Sequence, residues 1–154
     1  MNYWLFKSEP ATFSIDDLAA SPGKRTCWDG VRNYQARNFI RDDMHKGDLV
    51  LFYHSSCDVT GVAGVAEIVR ESYVDHTAFD PADPHYDAKS KAESPRWFMV
   101  DIKLKRKLKR IITLAELREH GTGALKGLAL LNKGNRLSIL PVSSDQWKFI
   151  LSME

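Results

Sequence analysis

The chain has 154 residues, of which 44% are apolar and 27% are charged, and its formal net charge is +2 at pH 7. This length suits one domain (residues 1–154) with a sizeable core, and no run of about 18 apolar residues is present, so no membrane span is expected. The N-terminal sequence lacks the basic and apolar regions of a secretory signal. Cys27 and Cys57 lack CxxC spacing. A reduced protein in the cytoplasm, with no disulfide, is therefore predicted.

The first half of the chain is predicted to alternate short strands with short helices. Ser14 is expected to cap a helix with two aspartates in its first turn, and Pro22-Gly23 ends it. Asn33 is expected to cap a second helix, whose apolar residues recur at helical spacing. The predicted elements are a strand at 2–7, helices at 15–20 and from 34 to about 44, and strands at 49–53 and 61–70.

Residues 72–95 have no apolar periodicity and combine aspartates with prolines and histidines. An irregular segment of this length indicates a binding loop or lid. Its aromatic residues offer anchors to the rest of the fold. His76, Asp80, Asp83 and His85 do not follow any familiar metal-ligand spacing, so no metal and no cofactor are expected.

The second half of the chain continues with a strand and two well-signalled helices. Residues 97–104 alternate between apolar and polar side chains, which is typical of a strand with one buried face. Thr113 and Glu116 form a capping box, and Ser143 or Ser144 is expected to cap a terminal helix. Residues 127–131 fit a helix or a strand, and residues 136–140 are predicted to form a short strand. The whole pattern predicts an α+β mixed β-barrel of about five or six strands, partly closed, with helices packed outside.

The basic residues are concentrated in the second part of the chain. Residues 91–154 carry 13 Lys and Arg against 6 Asp and Glu, and six of these cations lie between Lys103 and Arg110. Such a run can bind the phosphates of a nucleic acid, and it can equally be the solvated end of a strand. Both interpretations remain open from the sequence.

Two short segments carry the clearest candidates for a binding site. Lys7, Ser8 and Glu9 follow the first strand, where side chains can leave a rigid sheet and face a ligand. Trp28 lies among polar neighbours, close to Asn33 and two arginines, and such groups can hold one planar base beside a phosphate backbone. The other tryptophans, at positions 4, 97 and 147, are expected to pack in the core.

Four segments of the sequence resemble the EVE domain family. They are Tyr3–Pro10, Trp28–Asn33, Gly47–Ser55 and Pro95–Phe98, and the resemblance covers essentially the whole chain. It implies a PUA-like fold related to the YTH readers of methylated adenine in RNA. It also implies a reader of modified bases in DNA or RNA, with 5-hydroxymethylcytosine among the candidates.

The relation to YTH domains suggests roles for individual residues. Lys7-Ser8 resembles a Lys-Ser pair that lies beside the bound base, and Trp28 resembles the first aromatic wall of the base pocket. Asn33 lies near a base-contacting position. The second wall comes from the loop before the 97–104 strand, where this sequence offers Tyr86 and no tryptophan.

The sequence thus predicts a non-catalytic reader that binds nucleic acid, with no membrane association and with a monomer favoured. One alternative is a hydrolytic or nucleotide-processing enzyme that uses His54 with Glu9, although no nucleophile motif fixes that geometry. Another alternative is a protein-interaction adaptor that uses the basic strand. The predicted base pocket comprises Lys7, Ser8, Glu9, Trp28, Asn33, Tyr53, His54, Ser55 and Tyr86, and the predicted backbone contacts are Arg32, Arg37, Arg41, Lys103, Lys105 and Lys107.

Overall fold

The computed structural model describes residues 1–154, which form one six-stranded sheet with four short α-helices. None of these helices has the length and apolar character needed to cross a membrane. In chain order the elements are β1 Tyr3–Ser8, α1 Ile15–Ala20, β2 Arg25–Cys27, α2 Tyr34–Asn38, β3 Leu49–His54, β4 Gly61–Val74, β5 Phe98–Thr113, α3 Leu114–Glu119, β6 Ile139–Val142 and α4 Ser144–Ser152.

The strands are ordered β2-β5-β4-β3-β1-β6 across the sheet. The pair β1 and β3 is parallel, whereas every other neighbouring pair is antiparallel. The predicted α+β class, with a mixed sheet of five or six strands, is confirmed. The sheet is not closed, however, because β2 and β6 remain as two separate edges.

The two long strands β4 and β5 differ most from the sequence-based expectation. The prediction ended them at residues 70 and 104, whereas they continue to Val74 and Thr113. Their pairing contains four register shifts, and such irregularities bend strands and increase their twist. The basic run therefore lies inside β5 and not beyond a strand end. The sequence did not indicate a strand beyond residue 104, because this part of β5 is mostly charged and only Leu108 and Ile112 are buried there.

The core has two parts that lie on the two faces of the sheet. Successive residues of β1 point to opposite faces, so Phe6 joins one cluster and Leu5 joins the other. The central strands β1 and β3 are consequently apolar almost throughout. The expectation that the other three tryptophans pack in the core is confirmed, since Trp4, Trp97 and Trp147 are 3%, 5% and 6% exposed.

The predicted helix starts are also observed. Ser14 and Thr113 each form a capping box with an acidic residue three positions later, and Ser143 does so with Gln146. Residues 129–131, which were ambiguous, form a single 3-10 turn. The short strand expected at 136–140 is instead Ile139–Val142, an edge strand that tolerates Pro141.

The parallel pair β1 and β3 determines where the binding site can form. Their carboxyl ends lie side by side, with Ser8 paired to His54. The backbone N–H of Ser55 donates to the carbonyl of Ser8 at 2.9 Å, which continues the pairing beyond the strand ends. Side chains that follow both strands therefore lie at one edge of the molecule.

Candidate functional site

A cleft of about 400 Å³ opens at the carboxyl end of β1, a volume within the usual range for small-ligand sites. Four of the predicted pocket residues line it, and they come from two separate segments of the sequence. The lining residues are Lys7, Ser8, Glu9, Thr12, Phe13, Thr26, Cys27, Trp28, Asp29, Gly30, Val31, His85 and Ser138.

Trp28 is the largest aromatic side chain of the cleft and is only partly buried. Its ring packs on Phe6 and Phe13 at centroid distances of 5.3 and 6.3 Å, and edge-on against Phe52 at 5.6 Å. Its backbone N–H donates to the carbonyl of Val100 at 2.7 Å. Trp28 thus has apolar partners from distant strands although its sequence neighbours are polar. One side of the ring is fixed by these aromatic contacts, and the ring also lines the cleft.

The turn after β1 is fixed by its own hydrogen bonds. The Ser8 hydroxyl donates to the carbonyl of Phe13 at 2.6 Å, and the N–H groups of Thr12 and Phe13 both donate to the carbonyl of Glu9. This arrangement holds Phe13 against Trp28 and leaves the Glu9 side chain exposed at the rim. Ser8 therefore orients the cleft wall as well as lining it.

The opposite wall comes from the irregular segment between β4 and β5. Gly30 has a positive φ of 78°, and the ring of His85 lies directly against it. The N–H of Gly30 donates to the buried carboxylate of Asp75 at 2.9 Å. Burial would raise the pKa of Asp75, but hydrogen bonds from Thr77, Gly30 and Arg32 outweigh it and hold the pKa below its usual value.

Arg32 anchors this segment with its whole guanidinium group. Its five N–H groups donate to the carbonyl of Val31, to Asp75, to the hydroxyl of Thr77 and twice to the carbonyl of His85. The guanidinium also lies 5.4 Å from the ring centroid of Trp97. In this structure Arg32 has no N–H group left for a phosphate, and it holds His85 at the cleft.

Partial burial shifts the pKa values of three groups of the cleft so that each favours its neutral form. Burial lowers the pKa of Lys7, and burial followed by the charge of Asp75 raises the pKa of Asp29. The pKa of the Cys27 thiol is raised by burial and then by Asp29 and Asp101. The cleft thus combines a rigid aromatic face with a cationic donor and carboxylate acceptors. Such an arrangement suits a planar heterocycle with a polar edge.

Five predicted pocket residues lie outside the cleft lining. Asn33 caps α2 by accepting a hydrogen bond from the N–H of Ala36. Tyr86 lies in the loop between β4 and β5, and its side chain is exposed to solvent. His54 Nε2 accepts from the N–H of Ile15 at 3.0 Å and so joins β3 to the start of α1. Tyr53 and Ser55 face a second cleft on the other side of β1.

Two predicted backbone-binding arginines, Arg37 on α2 and Arg41 in the turn after it, have partners within the protein. Arg37 donates to the carbonyl of Arg96 at 2.8 Å and lies 4.8 Å from the ring centroid of Tyr34. Tyr34 in turn stacks on Trp97 with a centroid distance of 4.9 Å. Arg41 is exposed and pairs with Asp42 at 2.8 Å.

Most of the basic run on β5 is neutralised by acidic side chains. Lys105 and Lys107 pair with Glu67 and Asp16 at 3.1 and 2.7 Å. Arg106 and Arg110 pair with glutamates in the same way, whereas the side chains of Lys103 and Lys109 have no such partner. The cation-rich sequence is thus a strand surface with local charge compensation.

The cleft contains residues that the sequence did not single out. The sequence indicated His85 only as a possible metal ligand, and no sequence pattern indicated Thr12, Phe13, Thr26 or Ser138, all of which line the cleft. The irregular character of residues 72–95 signalled that a loop would reach the site. It did not identify His85, whose position depends on the absence of a side chain at Gly30.

The structure also bears on the metal and enzyme alternatives. No group of three or more His, Cys, Asp or Glu side chains is arranged to hold a metal ion. The alternative enzyme used His54 as a base, but its Nε2 is occupied by the Ile15 N–H, and burial lowers its pKa.

Comparison with known proteins places the chain among close relatives. The family model described as EVE domain matches residues 2–153. Thymocyte nuclear protein 1 of Danio rerio is 49% identical, over 98% of this chain and 71% of that protein. The human thymocyte nuclear protein 1 is 46% identical, over 99% of this chain and 74% of that protein.

Solved structures agree with this relationship. Human THYN1 in complex with DNA that contains 5-methylcytosine superposes with a TM-score of 0.95 at 46% identity, covering 99% of this chain and 97% of that chain. A protein from Pseudomonas syringae gives a TM-score of 0.92 at 46% identity and covers 98% of both chains. The expected cytoplasmic location is wrong by this comparison, because the relatives carry the name of a nuclear protein.

Proposed function

The chain belongs to the EVE domain family, and from that premise we propose that it is a nucleic-acid-binding module that holds one modified base in the Trp28 cleft. A modified cytosine is the first candidate. The observation that carries the proposal is a rigid, partly exposed Trp28 with carboxylates and an amine around it. The DNA complex of the 46% identical human relative contains 5-methylcytosine, which adds support.

In this proposal, the base leaves its stack and lies on the ring of Trp28. Stacking of a base on an aromatic side chain contributes roughly 1–3 kcal/mol and tolerates every base. Selectivity must therefore come from the polar groups at the rim. Glu9, Asp29 and Lys7 line the cleft, and in this proposal the two carboxylates accept hydrogen bonds from an exocyclic amine, as acidic residues do with cytosine, while Lys7 donates to a base carbonyl.

We assign the second wall of the pocket to His85 instead of Tyr86. His85 lines the cleft, and the backbone around it is held by Arg32 and Asp75. Tyr86 is 44% exposed and does not line the cleft. Since duplex DNA keeps its bases stacked, a base can reach this site only when it is flipped out or presented by a single strand.

Residues 1–154 serve as one binding domain in this proposal, because β1 lies between β3 and the late strand β6. The protein reads the base without changing it. Two features favour a reader over an enzyme: the Nε2 atom of His54 is used within the fold, and no metal-binding group is present. No contact in the structure favours the adaptor alternative.

A binding screen tests the proposal directly. Oligonucleotides that differ at one central cytosine would carry cytosine, 5-methylcytosine or 5-hydroxymethylcytosine, as single strands and as duplexes, with an N6-methyladenine series for comparison. We expect one modified cytosine to bind at least several-fold more tightly than the plain base, and mass spectrometry should return it intact. Equal affinity for all bases, or conversion of the modified base, would contradict the reader proposal.

A further inference from the structure

A second cleft, of about 490 Å³, lies on the other side of the β1 end. The segment after β3, one side of α3 and the loop at 130–135 surround it. Lys7 lines this second cleft and the Trp28 cleft alike, so the two share one side chain as their boundary. The lining residues are Lys7, Tyr53, Ser55, Ser56, Thr60, Leu114, Arg118, Leu130, Leu131, Asn132, Lys133, Gly134 and Asn135.

The second cleft has cations and no acids. Lys7, Arg118 and Lys133 are its charged residues, and no Asp or Glu lines it. None of these three side chains makes a hydrogen bond or an ion pair within 4.0 Å, unlike Lys105 and Lys107 on β5. The second cleft therefore carries uncompensated positive charge, and Lys7 brings it to the border of the Trp28 cleft.

Hydroxyl and amide groups complete the lining. Ser55, Ser56 and Thr60 follow β3 in sequence and bring three hydroxyl groups to one wall. Tyr53 lies below them, and burial raises the pKa of its phenol while a hydrogen bond with Thr60 and the charge of Arg118 oppose this. Hydroxyl groups beside unpaired lysine and arginine side chains are the usual contacts of nucleic-acid phosphates.

We propose that the second cleft binds the phosphodiester groups next to the base held in the Trp28 cleft, so that the strand crosses the protein over Lys7. This inference rests on the proposed function. It places the phosphate contacts at the carboxyl ends of β1 and β3, not along β5. Phosphate contacts fix the register of a strand without reading its sequence, and they make binding salt-dependent.

The test compares three double variants that each remove two positive charges. R118Q/K133Q changes the second cleft, K105Q/K107Q changes β5, and K126Q/K148Q changes exposed lysines outside both clefts. Each protein is titrated with the preferred modified single strand and its plain counterpart at several salt concentrations. Thermal unfolding checks that each variant is folded.

We expect R118Q/K133Q to lose affinity on the order of tenfold at 0.1 M salt and to flatten the slope of log K against log salt by about 1.4 for two contacts. The modified and plain strands should weaken by the same factor, because phosphates carry no base information. The other two variants should keep the wild-type slope. Free inorganic phosphate at matched ionic strength should not displace the strand.

The inference is overturned if R118Q/K133Q keeps the wild-type slope, or if K105Q/K107Q or K126Q/K148Q flattens it equally. Displacement by inorganic phosphate alone would also overturn it, because the cleft would then be a site for a free anion. The proposed function fails on a different measurement, namely equal affinity of the wild-type protein for modified and plain strands. The two failures are therefore distinguishable.

Discussion

The imidazole of His85 lies so close to Gly30 that a β-carbon at residue 30 would be 2.6 Å from two ring atoms and 2.9 Å from a third. The φ of Gly30 is +78°, and its N–H donates to Asp75. One wall of the Trp28 cleft therefore depends on the absence of a side chain at Gly30. A loop that the sequence describes as irregular is held in one position by this contact.

Gly30→Ala should destabilise the protein more than the same change at an ordinary turn, and it should also disturb the cleft. A positive φ costs a non-glycine residue roughly 1–2 kcal/mol, and displacing His85 adds to this. Gly127→Ala is the matched control, since its φ is +84° and nothing lies within 4 Å of its added carbon. We expect chemical denaturation to show a larger loss of unfolding free energy for Gly30→Ala, together with weaker base binding. Equal losses and intact binding would show that His85 moves aside freely.

Trp28→Ala should reduce both stability and base binding, because Trp28 packs on Phe6 and also faces the cleft. Truncation of a core aromatic side chain to Ala costs about 3–5 kcal/mol of stability, and loss of stacking costs roughly 1–3 kcal/mol of binding. Phe39→Ala, which removes packing on Trp4 outside the cleft, is the control for destabilisation alone. Trp28→Phe should bind better than Trp28→Ala. If Phe39→Ala weakened base selectivity as strongly, global destabilisation would explain both results.

Arg32→Gln should destabilise the fold while leaving the salt dependence of binding unchanged. The change breaks the pair with Asp75, whose side chain is fully buried, and breaking such a pair costs about 3–5 kcal/mol. Arg41→Gln is the control, because its exposed pair with Asp42 is worth at most about 1 kcal/mol. Urea unfolding and salt titrations measure the two quantities. Wild-type stability with a flatter salt slope would instead make Arg32 a phosphate contact.

His54 should make the protein less stable at mildly acidic pH. Burial lowers the pKa of His54 in the folded state from the usual 6.5, so the unfolded chain binds its proton first as the pH falls. The unfolding free energy contributed by neutral His54 is present above pH 6.5 and is lost as the pH falls through the lowered pKa. His54→Gln can still accept from the Ile15 N–H and should flatten this dependence between about pH 7.5 and 5. Identical pH profiles for the two proteins would exclude His54 as the cause.

Local sequence signals predicted the parts of the fold that depend on neighbours in the chain. The caps at Ser14, Thr113 and Ser143 need residues only three positions away, and all three are observed. The length of β5 was missed because its stability comes from pairing with β4 and from distant ion pairs.

Only those residues of the candidate site that stand out within a short stretch of sequence could be predicted. Lys7, Ser8 and Trp28 could be predicted as site residues because each follows or interrupts a clear sequence pattern, and all three line the cleft. Tyr53 follows Phe52 on a strand, so its side chain must point to the opposite face from the Trp28 cleft. The structural role of Arg32 could not be predicted from the sequence, because its partners Asp75 and Thr77 lie more than 40 positions away in the chain.

The position of β1 has a consequence for how the chain reaches its native state. β1 is the first strand in sequence, yet it lies between β3 and β6, and Phe6 pairs with both Phe52 and Ile139. During synthesis on the ribosome, the apolar β1 has an unpaired edge until residues 139–142 have emerged. An apolar strand with an open edge is a template for association with other chains. Truncation before β6 should therefore yield aggregates, because pairing with β6 is what protects β1 of a newly made chain from association with other chains.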